Sequence, residues 1–432
     1  MLIINFLENN KRFFRLLIIS LLFMVPHELG AEELIGKGEK INLDRGIAIA
    51  LKKHPQISAA EHNLEVSESK IGQSRAGYYP QIKWSTGWSR NAAPLKSPLY
   101  NDYSSSVTLS QNIFDFNRVG TQVDIQTLNL ESSRADLRDT VQKIILGVKQ
   151  AYYERLRARR TSDINAETVT QLEQHLETAK GFYEAGVKPK FDVTKAEVDL
   201  SNARLNLLKA ENALRIAVVT LNNALGMPDA PLYDVEEDVA YQKYAAGDLD
   251  SSLKKAFLTR ADLQSLLWKK EAAQRSVELA KKDYYPVLSG NAGYGWSGEN
   301  LPMENGWNIG ASLNFDLFSG FSTKYQIGEA VAGLEVLRAN EESLRQTIRL
   351  EVEQSLANLQ EAEKRIFTAE VSVKQAEENL DLAQGRYAAG VGNPLEVTDA
   401  LLAQGNARTA LSGALYDHKI AEANLEKAMG GK

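Results

Sequence analysis

The chain has no cysteine in its 432 residues. That removes disulfide staples, thiolate metal sites and a lipidated N-terminal cysteine from consideration. Basic charge is not in excess either, because 50 Lys and Arg stand against 56 Asp and Glu for a net charge of −6. Without surplus cations to replace phosphate counterions, a nucleic-acid partner is excluded. The five histidines, His27, His54, His62, His175 and His418, show no metal-ligand spacing. No nucleophile stands beside a candidate base, so the sequence predicts no enzyme, no cofactor and no metal. Long apolar runs are also missing: beyond the N-terminus nothing approaches about 18 consecutive apolar residues. At the N-terminus Lys11, Arg12 and Arg15 precede the short apolar stretch 16–25, which Pro26 breaks, with a candidate cleavage point at Ala31. Residues 1–31 therefore read as an export signal rather than a membrane anchor.

What is present is written twice. Gly186, Val187, Asp192, Val193, Thr194 and Ala196 return as Gly390, Val391, Glu396, Val397, Thr398 and Ala400, each 204 residues on. Tyr78, Tyr79 and Pro80 return as Tyr284, Tyr285 and Pro286 at a spacing of 206, and Leu221, Ala224 and Gly226 as Leu425, Ala428 and Gly430 at 204. Solenoid repeats run only about 20–50 residues, so this is duplication of a larger unit. The expected organisation is a first repeat over 32–226, a linker over 227–248 rich in acids and proline, and a second repeat over 249–432.

Each half has the same order. Helices at 43–52 and 55–76 lead into Tyr79-Pro80, where proline stops the helix. Two alternating strands follow, about 81–89 and 104–114 in the first half, about 287–296 and 306–317 in the second. Ile82, Trp84, Thr86 and Trp88 share one face, and Trp307, Ile309, Ala311, Leu313, Phe315 and Leu317 another, with small polar residues between. Strict period two with aromatics near the ends fits transmembrane β-strands. A half-buried strand of a soluble sheet has the same period. Polar loops are expected at 91–102 and 297–306. Four strands cannot close a barrel, and open edges cannot be left in lipid, so a membrane reading requires an oligomer.

Long helices come next. Val193, Ala196, Leu200, Ala203, Leu207, Ala210, Leu214, Ala217, Leu221 and Ala224 keep a 3-4 spacing. Val397, Ala400, Ala407, Leu411, Ala414, Ala421, Leu425 and Ala428 hold the same phase, with Gln404 and His418 as polar members. A heptad with alanine at every seventh position predicts closely packed antiparallel hairpins. The stretches 118–185 and 324–389 contain no proline. As continuous helices each would run about 100 Å. Gly293-Tyr-Gly-Trp-Ser-Gly298 matches a dinucleotide-binding pattern, but it lies on an alternating strand and leads into a loop, not a helix.

At the hairpin tips Gly186 and Gly390 permit chain reversal, and Asp192 and Glu396 fall in the first turn of the next helix, where the dipole favours an acid. The duplication, the order of elements, the four strands and both Gly…Asp/Glu-Val…Ala tips together resemble the outer-membrane efflux proteins of the TolC type. The resemblance covers nearly everything after the signal. It implies a mainly α fold with a small membrane β-barrel portion: four transmembrane strands and long coiled-coil hairpins per protomer, in a trimeric α/β barrel in the outer membrane that extends into the periplasm. The implied function is a passive export duct of a tripartite efflux or type I secretion system. Its implied partners are two further copies of the chain, outer-membrane lipid, a periplasmic adaptor and an inner-membrane pump. By the same resemblance Tyr387, Glu396, Asp399 and Asp192 belong to a periplasmic gate, and Gly186, Gly390, Val187 and Val391 form the turns on which an adaptor docks. One position departs. Where the best-known member has an arginine two residues beyond the tip glycine, this chain has Gly392, and Lys188 stands at the equivalent place in the first half. The family's closed-state ion pairs therefore do not transfer intact. A periplasmic adaptor or coiled-coil scaffold would share the hairpins but has no use for four amphipathic strands.

The alanine seam yields a direct test. Ala210→Leu is expected to cost about 1–3 kcal/mol through overpacking, read as a lowered melting temperature; an unchanged melt would mean that no helix lies close at that position.

Overall fold

The computed structural model describes residues 35–93, 96–237 and 247–431. The expected signal at 1–31 and part of the linker, 238–246, lie outside them. Two compact units are present. In the smaller one, residues 35–40 meet 230–234: the Gly38 N–H donates to the Leu232 carbonyl and the Asp234 N–H to the Glu39 carbonyl, both at 2.8 Å. The larger unit, 41–229 with 235–431, contains every long element.

In the larger unit two short helices, α1 (Leu43–Lys53) and α2 (Pro55–Arg75), precede strands β1 (Gln81–Ala93) and β2 (Lys96–Phe114). A helix of 67 residues follows, α3 (Arg118–Glu184), then α4 (Lys190–Ala224) with 35. The order then repeats as α5 (Leu249–Thr259), α6 (Ala261–Lys281), β3 (Val287–Gly298), β4 (Glu304–Asn314), α7 (Ser322–Ala388) and α8 (Pro394–Ala428). The second long helix again has 67 residues and its partner 35. At 1.5 Å per residue each long helix runs about 100 Å. No helix among the described residues is long and apolar enough to cross a membrane.

A 67-residue helix has more surface than a 35-residue mate can cover. Along α3 the remainder is covered by α2 and α6, and α7 packs on α5, α6 and α8. Where α4 ends, it runs into the junction of α1 and α2. Gly226 has φ +71°, and a Cβ there would lie 2.8 Å from the His54 Cα. The second half reproduces this contact: Gly430, also at φ +71°, would place a Cβ 2.8 Å from the Arg260 nitrogen at the α5–α6 junction. Both glycines are therefore fixed twice over, by a left-handed backbone and by lack of space. Of the seam residues predicted from the heptad, Ala196, Ala203, Ala210 and Ala217 on α4 and Ala400, Ala407, Ala414 and Ala421 on α8 are buried, while Val193, Leu207, Leu214 and Leu411 are half-buried.

The four strands form one antiparallel sheet in the order β1-β2-β3-β4, with β1 and β4 at its edges. Register decides the faces. Ile82 stands opposite Leu109, Trp84 opposite Val107, Val107 opposite Tyr294, and Tyr294 opposite Trp307. One face is therefore a continuous field of large apolar groups, and it is exposed: Trp84 retains 68% of its accessible surface and Trp307 76%. On the opposite face Ser85 and Gly87 of β1 stand opposite Ser106 and Ser104 of β2, and Ser106 and Thr108 of β2 stand opposite Gly295 and Gly293 of β3. The glycines of the dinucleotide-like pattern belong to this ladder. A Cβ on Gly293 would come within 2.5 Å of the Asn308 side chain and one on Gly295 within 3.1 Å of the Ser105 carbonyl, so they answer to strand packing.

Three boundaries differ from the sequence expectation. Of the loop expected at 297–306 only 299–303 lies outside the strands, because Ser297 pairs with Glu304 and Trp296 with Asn305. The stretch read as a polar loop, 91–102, is largely strand, with Ser89 opposite Asp102, Arg90 opposite Asn101 and Asn91 opposite Tyr100. Ladder hydrogen bonds are made by the backbone, so polar side chains do not prevent pairing. Conversely β4 ends at Asn314, before Phe315 and Leu317. Its last pair is Val287 with Asn314, and the residue before Val287 is Pro286, which has no N–H to extend the ladder. The linker is not wholly irregular either: Tyr152 of α3 donates to the Glu236 carbonyl at 2.7 Å, and Tyr416 of α8 to the Glu237 carboxylate at 3.3 Å.

Strand passes to helix through left-handed residues, Phe116 (φ 54°) and Asn117 (φ 61°) before α3 and Phe321 (φ 67°) before α7. The Asp115 carboxylate caps the N–H groups of Arg118 and Val119 at 3.2 and 3.0 Å. The Arg118 guanidinium donates to the carbonyls of Lys282 and Tyr285, tying the start of α3 to the second half.

The glycine contacts set the second test. Gly226→Ala and Gly430→Ala are each expected to destabilise by about 1–3 kcal/mol, from left-handed strain and a backbone clash. Thermal denaturation of the two single variants measures it, and similar losses in both would match the duplicated geometry.

Candidate functional site

Both hairpins turn by the same hydrogen bonds. In the first, the Gly186 N–H donates to the Tyr183 carbonyl and the Val187 N–H to the Phe182 carbonyl, each at 2.9 Å. In the second, the Gly390 N–H donates to the Tyr387 carbonyl at 3.0 Å and the Val391 N–H to the Arg386 carbonyl at 3.1 Å. This is the six-to-one and five-to-two pairing that closes a helix on a left-handed residue, and Gly186 and Gly390 supply it at φ +72° and +79°. Val187 and Val391 follow, and both side chains are exposed.

The turns then diverge two residues beyond the tip glycine. The Gly392 N–H also reaches the Arg386 carbonyl, at 2.9 Å, and a Cβ at Gly392 would lie 2.7 Å from the Tyr387 nitrogen. No side chain fits that turn without a shift. In the first turn the Lys188 N–H makes the corresponding bond at a looser 3.3 Å. Its side chain crosses to the other hairpin, where Nζ donates to the Gly392 carbonyl at 3.2 Å and lies 5.7 Å from the centre of the Tyr387 ring. A cation and a carbonyl thus join the two tips.

Below this bridge the two hairpins share a core. Leu172, Leu176 and Ala179 of α3, Ala196 and Leu200 of α4, Leu380, Ala383 and Tyr387 of α7, and Val397, Ala400 and Leu401 of α8 form one buried cluster. Tyr387 is 4% exposed, with its ring 5.3 Å from Phe182 and 5.4 Å from His175. Burial, and secondarily the Asp192 carboxylate, raise its phenol pKa above the ordinary value. Further from the tip, α8 is strapped to both long helices by charge. Arg408 binds Glu167 of α3 at 2.9 Å and Glu377 of α7 at 3.3 Å, and Asp417 binds Arg157 of α3 at 3.0 Å and Arg365 of α7 at 2.9 Å.

The four acid and tyrosine positions singled out from sequence fall into two groups. Asp192 and Tyr387 are buried within the shared core, Asp192 at 6% exposure. Glu396 and Asp399 point outward, and Glu396 lies 3.3 Å from Arg386 across its own turn. Pseudo-symmetry therefore fails for the acids, because Asp192 and Glu396 occupy equivalent places and opposite environments. Sequence reading missed His175 and Asp199, both 6% exposed, as members of the tip. A signal for His175 existed, since it lies within the 3-4 run Leu172, Leu176, Ala179. Among the described residues no group of His, Asp and Glu could hold a metal ion.

A sheet with one exposed apolar face, continued by long helical hairpins that end in paired tips, defines an outer-membrane export channel. Over residues 46–227 and 253–431 the chain matches the model of the outer membrane efflux protein family, and it belongs to that family. It is 23% identical over 401 residues to the outer membrane protein TolC of Vibrio cholerae, covering 88% of this chain and 89% of that protein. It is also 23% identical to the alkaline protease secretion protein AprF of Pseudomonas aeruginosa, covering 88% and 82%. Among solved structures, the outer membrane protein VceC of Vibrio cholerae superposes with a TM-score of 0.76 at 20% identity, covering 90% of this chain and 96% of that one. The protein is thus a TolC-type channel of the outer membrane, in the efflux and type I secretion class.

Proposed function

We propose that the chain works as a homotrimer, a passive duct opened by an inner-membrane pump through a periplasmic adaptor, and that it catalyses no reaction itself. The observation that carries this reading is the sheet with two unpaired edges and one exposed apolar face. In lipid every backbone N–H and C=O needs a partner, and three copies pairing β4 of one with β1 of the next give a closed barrel of twelve strands. The exposed apolar residues of α4, Val198, Leu205, Leu208, Ile216 and Val219, supply a second stripe for contact between copies. We read residues 32–226 and 249–432 as the two duplicated repeats of each protomer. The exposed Val187 and Val391, on turns held open by Gly186 and Gly390, are the adaptor-docking positions. Glu396 and Asp399, three copies of each around a three-fold axis, are the acidic gate. Asp192 and Tyr387 act from inside the tip, by holding the hairpins together.

Light scattering of the detergent-solubilised protein tests assembly: a particle of three chains is expected, each lighter than the 47.9 kDa of the full sequence by its signal, and a stable monomer free of detergent overturns the reading. Selectivity tests the gate. Six carboxylates at a narrow mouth concentrate cations and disfavour anions. Replacing Glu396 and Asp399 together by alanine is expected to weaken cation selectivity in planar-bilayer recording and relieve block by multivalent cations from the periplasmic side. Wild-type selectivity in that variant would reduce both acids to helix-start residues.

A further inference from the structure

Three buried side-chain polar atoms without a protein hydrogen-bond partner lie on the helices that meet toward the hairpin ends: His175 Nε2 on α3, Asp199 Oδ2 on α4 and the Tyr387 hydroxyl on α7. All three residues are more than nine-tenths buried. Leaving such atoms unpaired is costly, so this contact is a weak point of the core that the hairpins share. We infer that His175 is a positioning residue for the tip, and that the docked arrangement of the two hairpins requires its imidazole to be neutral, so that protonation parts them. The inference rests on the reading of the hairpin ends as the gate.

The charged groups around His175 can be named element by element. From α4, Asp192 and Asp199 act on the imidazole, and Lys195 is paired with the other oxygen of Asp199. From α7 comes Tyr387, 5.4 Å away ring to ring, with Lys188 of the first turn over that ring. The residues that α8 contributes to the core here, Val397, Ala400 and Leu401, are apolar, and its acids Glu396 and Asp399 are exposed. On α3 itself Glu173 is engaged by Arg204 and Glu177 by Lys180. Burial lowers the His175 pKa from its ordinary value, and the two aspartates oppose that shift without reversing it. The sign follows. When the hairpins part and the ring meets water, its affinity for a proton returns to that of an exposed imidazole, about 6.5. The parted state then binds the proton more tightly than the docked one. Docking is at full strength above about pH 6.5 and weakens as pH falls from there toward the lowered pKa of the docked state, below which no further loss accrues.

Hydrogen exchange of the full-length trimer in detergent, corrected for the intrinsic pH dependence of amide exchange, reads the contact. Between about pH 7.5 and about pH 5.5, protection over 180–192 and 383–396 is expected to fall severalfold while protection over 203–217 holds. His175→Phe, which keeps a ring without a titrating nitrogen, and His175→Gln are both expected to abolish the pH response. Should neither variant fold, C2–H exchange of the wild-type histidines reports the His175 pKa directly, with a midpoint below about 6.5 expected. Equal protection at both pH values, a fall that persists in either variant, or a midpoint at or above the ordinary value overturns the inference. A trimeric, conducting protein with a pH-independent tip overturns this inference alone. A non-conducting monomer overturns the channel reading instead, and its His175 midpoint still decides the proton-dependent contact.

Discussion

Close approach of helix backbones is the constraint from which the rest of this protein follows. Helices can approach closely only where the side chains between them are small, and alanine meets that need without the entropic cost of glycine. The seams on α4 and α8 provide alanine at every seventh position, and those positions are buried. A heptad seam must run the whole length of a helix pair to hold it. This is why neither 67-residue helix tolerates a proline and why the shorter mates arrive end to end. Where one mate stops and the next begins, the chain has to turn within a helix diameter, and Gly226 and Gly430 stand there.

The sheet obeys a different constraint. Its hydrogen bonds are internal except at the two edges, and its side chains divide cleanly between a bulky face and a small one. In water an exposed field of Trp, Ile and Tyr would be a liability, whereas in a bilayer it is the surface that lipid requires. The same residues are therefore stabilising or destabilising according to solvent, and the chain belongs to an outer-membrane family.

Much of the fold was legible because duplication reports itself. The tips, the helix ends and the Tyr-Tyr-Pro stops recur at a near-constant spacing, and the heptads and the period-two strands give element type directly. Boundaries were less legible where pairing overrides composition. Polar residues over 91–102 joined a ladder because backbone groups make it, and Phe315 and Leu317 fell outside one because Pro286 withholds a donor from the neighbouring strand. At the tip the turn glycines could be read one by one. The burial of Asp192 and the exposure of Glu396 could not, since local sequence treats the two positions alike.

The sequence by itself determined the duplicated order of helices and strands, the two chain reversals, the small-residue seams and the absence of thiols, because these depend on residue type and spacing along one element. Tertiary structure alone decided which of two equivalent acids is buried, that Lys188 reaches the opposite tip at Gly392, and that His175, Asp199 and Tyr387 each bury a polar atom without a partner. The reason is physical. Those properties arise where α3, α4, α7 and α8 meet, about 200 residues apart in the chain, and periodicity within one helix says which face is buried but not what another helix brings to it.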